Sequence, residues 1–139
     1  MSVAPKQWVV KIVSPPSGAL TVLRDEMPLP AEIGPGLTTP VEILLVSIGT
    51  CFALSCHAAF AGRGLKRVGF EVSVTGRKAP QPPSRLAALE LEVAFDASLA
   101  TAEALAVMAS AEKLCTVTNT LTAPPLCTVS LSAGEKRLE

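Results

Sequence analysis

The chain has 139 residues, 49% of them hydrophobic, and its twelve acidic residues balance twelve basic ones. That is enough apolar material for the core of a single domain over residues 1–139. A neutral chain offers no field to hold a polyanion, and the short basic pairs Lys66-Arg67 and Lys136-Arg137 lack interleaved aromatics, so nucleic acid is excluded as the main partner.

The first residues lack the charged-then-apolar pattern of an export signal. Four cysteines in such a chain read as reduced thiols, not as a disulfide scaffold. A soluble, cytoplasmic protein is the expectation.

In chain order, residues 8–14 and 18–24 are rich in β-branched side chains and are separated by Pro15-Pro16-Ser17-Gly18, which predicts a hairpin. Residues 25–38 hold three prolines and two glycines and read as a loop. Thr39 to Phe60 then reads as one long helix, apolar on nearly every side. Thr39 fits the N-cap, Pro40 the first helical position and Glu42 the capping box, while Gly62, Arg63 and Gly64 supply the stop. A helix hydrophobic all round has to be covered all round. Glu42, Ser47, Ser55 and His57 make a membrane span a poor reading of it.

Val68 to Val74 and Leu89 to Phe95 alternate with period two and predict half-buried strands, joined by a proline-rich turn at Ala79 to Ser84. Residues 99–114 return to helical spacing, with Leu105, Met108 and Ala109 on one face. Thr116 to Leu121 reads as one more short helical turn. Pro124-Pro125 breaks it, and Cys127, Val129 and Leu131 alternate with polar residues as a last strand. The order β-β-α-β-β-α-β is that of an α+β domain, with helices packed on a largely antiparallel sheet.

Residues three or four apart share a helix face. Cys51 therefore lies with Ser47, Leu54 and Ser55, in a small-and-polar stripe, and Cys56 lies with Leu45, Gly49, Phe52 and Phe60, which is core. Cys127, on the apolar face of its strand, also reads as core. Cys115 follows the second helix, where the N–H groups of a new helical turn would favour a thiolate. Spacing leaves open whether Cys51 and Cys115 meet. No Cys-x-x-Cys is present and His57 is the only histidine, so no metal site is expected. His57 lies about 120° round the helix from Cys51 and reads as a surface or satisfied residue.

Two motifs carry a resemblance. One is a helix opening Thr39-Pro40-Val41-Glu42-Ile43-Leu44 and reaching Cys51; the other is Leu114-Cys115-Thr116-Val117-Thr118-Asn119 after a second helix. Together with the element order they resemble the OsmC/Ohr family, over nearly the whole chain and most closely its less characterised OsmC-like branch. The resemblance implies an intertwined homodimer with two central helices packed at its middle, where Gly49 would suit close approach.

It further implies a thiol peroxidase acting on organic hydroperoxides without metal or cofactor. Cys51 would attack and become a sulfenic acid, Cys115 would resolve it as a disulfide, and an external dithiol would reduce that disulfide. Peroxidatic members activate the thiol with an arginine and with a glutamate directly after the proline, a position held here by Val41. Glu42, one residue on, has the capping box as its structural role, and Arg24 matches the arginine by no spacing rule. Two other functions suit the same fold: a non-enzymatic protein holding a small hydrophobic ligand at the dimer interface, and a redox switch built on Cys51 and Cys115.

Overall fold

The structure is a computed structural model that describes residues 6–133 and 136–138. Its elements are β1 (Gln7–Ser14), β2 (Thr21–Arg24), β3 (Met27–Pro28), α1 (Pro40–Gly62), β4 (Phe70–Lys78), β5 (Leu86–Phe95), α2 (Thr101–Leu114), α3 (Thr116–Thr122), β6 (Leu131–Ala133) and β7 (Lys136–Leu138). The expected α+β order is present, with additions at both ends.

Five strands form one antiparallel sheet in the order β3-β2-β1-β4-β5. The hairpin between β1 and β2 turns where the Gly18 N–H donates to the Pro15 carbonyl at 2.9 Å, with Gly18 at φ +86°. Residues 25–38 are not loop throughout. Asp25 and Glu26 both adopt positive φ, the two-residue hairpin geometry that lets Met27–Pro28 pair back on β2. Glu26 is anchored there by the Lys11 ammonium at 2.7 Å.

β1 and β4 alternate as their sequences require. Val10 and Ile12 with Phe70, Val72 and Val74 face inward and meet Leu45, Ile48, Phe52, Cys56 and Phe60 of α1. Gly49 belongs to this contact. A Cβ there would stand 2.6 Å from Ile12 Cγ1 and 3.0 Å from Val74 Cγ2, so its missing side chain serves helix-on-sheet packing and not a helix–helix crossing. The start of α1 follows its sequence: Thr39 Oγ1 accepts from the Glu42 N–H, and Glu42 accepts from the Thr39 N–H. By length and composition α1 is apolar enough to cross a membrane, yet 56% of that window is buried inside this fold.

α2 packs on α1 through Val107 and Ala111, which are fully buried. Of the expected face of Leu105, Met108 and Ala109, only Met108 packs against the core; Leu105 and Ala109 are exposed. Both faces of α2 are apolar, and the small residues win the contact because they let the two helices approach.

The last strand also departs from expectation. Leu131–Ala133 pairs with Lys136–Leu138 in a separate two-stranded sheet, and residues 124–130 form no strand. Leu126 and Val129 are 91% and 95% exposed, and Cys127, expected in the core, is exposed too. The alternation is real, but after Pro124-Pro125 the segment joins no sheet until β6, and among the described residues Leu126, Cys127 and Val129 stay uncovered.

Candidate active site

Cys51 lies at mid-length on α1 and is half-buried. Ile43, Ser47, Leu54, Ala58 and Ala61 form the exposed stripe beside it, so the thiol stands on the border between core and uncovered surface. Ser55 Oγ donates to the Cys51 carbonyl at 2.8 Å, which turns the serine along the helix and leaves the stripe small. Among the described residues, no charged side chain is hydrogen-bonded to Cys51.

Cys115 ends α2 and begins α3. Its N–H donates to the Ala111 carbonyl at 2.9 Å, then its extended backbone breaks the helix and its own carbonyl accepts from the Asn119 N–H at 3.1 Å. Thr118 Oγ1 donates to that carbonyl as well, and Asn119 Nδ2 reaches back to the Lys113 carbonyl at 3.1 Å. The Leu-Cys-x-x-Thr-Asn run is thus a corner lock, in which Thr118 and Asn119 fix the angle at which Cys115 enters the core. The Cys115 side chain is fully buried and makes no capping hydrogen bond, so the expected support from the N–H groups of α3 is not used.

All four cysteines are free thiols. Burial, helped by the nearby Cys115, pushes the Cys56 thiol up to about 12. Cys56 is therefore a buried neighbour of Cys115, and it points about 140° round α1 from Cys51. Sequence reasoning placed Cys56 in the core correctly but had no signal for its closeness to Cys115, which depends on how α2 crosses α1.

The acid and the arginine do form a pair. Arg24 Nη1 donates to both carboxylate oxygens of Glu42 at 2.9 Å and to the Leu37 carbonyl at 3.1 Å. Glu42 is 3% exposed, and burial works against its charge. The Thr39 N–H and the Arg24 guanidinium outweigh that and hold the carboxyl below its usual range. Glu42 lies nine residues before Cys51, roughly 13 Å along the helix and on the opposite face. Within one chain the pair tethers β2 and the 25–38 loop to the start of α1, and does not touch the thiol.

His57 is neither on the surface nor fully satisfied. It is 7% exposed, Nε2 shares a hydrogen bond with the buried Ser14 Oγ at 2.7 Å, and Nδ1 has no partner. Its ring packs on Phe70 at 5.3 Å. Burial, then the Arg67 charge, lowers its pKa and disfavours the charged ring. A pairing between β1 and α1 across 43 residues is invisible to local spacing.

The OsmC-like protein family matches the chain over residues 34–130, a range that includes both Cys51 and Cys115. No curated protein matches it. Among solved structures, an OsmC-like hydroperoxide resistance protein from Jannaschia sp. CCS1 superposes with a TM-score of 0.62. That match covers 95% of this chain and 97% of the other at 16% identity, which is a likeness of fold. With the family match spanning well over half of its length, the chain belongs to the OsmC-like protein family.

Proposed function

We propose that this protein is a homodimeric, cysteine-based peroxidase that reduces organic hydroperoxides, with Cys51 attacking and Cys115 resolving. The observation that carries the reading is the placement of Cys51 in a family whose solved relative is named a hydroperoxide resistance protein. It is a half-buried thiol on the rim of an apolar face, with a fully buried second thiol at the helix corner packed on the same helix. The Cys51 thiolate attacks the terminal peroxide oxygen, the O–O bond breaks, and the alcohol leaves with a proton. Cys51 becomes a sulfenic acid, Cys115 displaces water from it, and a disulfide forms. An external dithiol then returns both sulfurs to thiols. Cytoplasmic reducing conditions suit such a cycle, and it needs neither metal nor cofactor.

A second copy of the chain is the partner that fits the surface. Ile43 and Leu54 on α1 and Leu105 and Leu114 on α2 are exposed apolar side chains that a second copy would cover. β5, ten residues long, ends the five-stranded sheet. The segment 124–130 of a second copy, ahead of β6, has the alternation to add to such an edge, which would intertwine the two chains.

The test is steady-state consumption of cumene hydroperoxide by the reduced protein supplied with dihydrolipoate. Turnover that vanishes in Cys51→Ser, and that falls steeply in Cys115→Ser, is expected. A wild-type rate equal to that of Cys51→Ser would end the reading.

One observation favours a non-enzymatic alternative. A groove of about 480 Å³ between the β2–β3 hairpin and α1 is lined by Leu20, Val22, Leu29, Ile33, Ile43 and Val46, while the Arg24–Glu42 pair is committed away from Cys51. Native mass spectrometry of gently purified protein decides for this alternative if a small apolar molecule copurifies and turnover is absent.

A further inference from the structure

A third thiol, Cys56, shares the buried core with Cys115. α2 runs over the C-terminal half of α1: Arg63 Nε and Nη2 donate to Ser110 Oγ at 3.2 and 3.0 Å, and Ala58, Ala59 and Gly62 share a groove with Lys113 and Leu114. α3 continues toward the N-terminal half, where Ile48 shares a small cavity with Thr118, Leu121 and Thr122. The corner between them, Cys115, accordingly crosses the middle of α1 between Ile48 and Ala58. That stretch holds Cys51 on its half-buried flank and Cys56 on its buried one. Cys56 and Cys115 are both fully buried in one core, and Cys51 packs against that core from its edge.

We propose that Cys56 takes over the Cys115 sulfur from the Cys51–Cys115 disulfide, leaving a buried Cys56–Cys115 disulfide and a free Cys51. The inference rests on the peroxidase reading for how the first disulfide arises. The exchange itself needs no further oxidant. The Cys56 sulfur bonds to the Cys115 sulfur, the bond to Cys51 breaks, and Cys51 leaves with the electron pair and takes up the proton that Cys56 released.

Rate and direction follow from the surroundings. Only a thiolate attacks, and a thiol held at about 12 is ionised in roughly one molecule in 10⁵ near neutral pH. The exchange is slow beside the first disulfide, and its rate rises about tenfold per pH unit. The product joins two fully buried sulfurs and returns the free thiol to the half-buried Cys51 position. Oxidation is thereby stored where an external dithiol has poor access, while Cys51 regains its thiol.

The experiment is a time course of disulfide mapping on the full chain. Reduced protein receives about one equivalent of cumene hydroperoxide or, in a parallel arm, of diamide, from about pH 7 to about pH 9. Aliquots are quenched in acid and digested with pepsin, whose cuts at Phe52 and Leu54 separate Cys51 from Cys56. The proposal expects a Cys51–Cys115 linked peptide first, then its decay into a Cys56–Cys115 peptide, faster at higher pH; Cys56→Ala freezes the first species.

A Cys51–Cys115 peptide that persists unchanged across this range in both arms would overturn the exchange while leaving the peroxidase reading intact. Exchange in the diamide arm, with no reaction in the hydroperoxide arm, would uphold the exchange and remove the peroxidase reading. A Cys56–Cys115 peptide that appears in Cys51→Ser as fast as in the wild type would also overturn the proposed order.

Discussion

Replacing Gly49 with alanine tests how α1 sits on the sheet and, with it, the level at which Cys51 is held. The added methyl would meet Ile12 Cγ1 at 2.6 Å, Val74 Cγ2 at 3.0 Å and Ile12 Cδ1 at 3.2 Å. Ile12 Cγ1 is the near end of a β-branched residue, and both Ile12 and Val74 are fully buried, so neither side chain has room to swing away. Overpacking of this kind costs about 1–3 kcal/mol. Alanine in place of glycine inside a helix returns about 1 kcal/mol. A 2.6 Å approach puts the clash in the upper part of that range, so a net loss of about 1–2 kcal/mol is expected, seen as a fall in Tm of roughly 3–8 °C. Ile12→Ala alone should cost about 2–5 kcal/mol through its cavity. On that background Gly49→Ala should become neutral or stabilising, because the new methyl fills part of the space. Urea titrations of the four proteins at one fixed concentration give the coupling, expected near 2 kcal/mol. Additive effects, or a single Gly49→Ala as stable as the wild type, would refute this packing. A variant that loses its oligomer but keeps its Tm would place Gly49 at a helix–helix contact instead.

Glu42→Gln keeps the shape of the capping box but removes the charge facing Arg24, which is itself about a third exposed; a loss of about 1–2 kcal/mol in urea unfolding is expected. The folded pKa of Glu42 lies below its usual 4.5, so this contribution is present above about pH 4.5 and is lost as the pH falls through the folded value. The wild type and Glu42→Gln should therefore converge in acid. His57 has a folded pKa below its usual 6.5, so the unfolded chain binds the proton more readily. Stability is full above about pH 6.5 and declines as the pH drops below it, and His57→Gln should flatten that part of a Tm-against-pH curve. Ending the chain after Ala123 removes the exposed segment 124–132; light scattering should then report a monomer, and an unchanged oligomer would exclude strand exchange.

Local patterns carried most of the fold. The capping box at Thr39 and Glu42, the β-branched run of β1, the period-two runs of β4 and β5, and the buried face of Leu45, Gly49, Phe52, Cys56 and Phe60 all read directly, because each depends on neighbours within a few residues. Four points failed to read for a shared reason: they depend on contacts distant in sequence. Met27–Pro28 pairs only because Asp25 and Glu26 accept positive φ, which their residue types do not announce. α2 is apolar on two faces, and only the approach to α1 chooses Val107 and Ala111 over Leu105. Cys127 alternates as a core residue should, yet its strand finds no sheet within the chain. Ser14 with His57 and Arg24 with Glu42 join elements that spacing cannot bring together. At the site, the motifs singled out Cys51 and Cys115, while the closeness of Cys56 to Cys115 came from tertiary packing.

The central claim is that Cys51 is the sulfur which meets the peroxide, and trapping its first oxidation product tests it most directly. Cys115→Ser protein, reduced and then mixed with cumene hydroperoxide and dimedone, should gain one adduct per chain, mapped by peptic peptides to Cys51. Absence of an adduct on Cys51, or label confined to the exposed Cys127, would contradict the account.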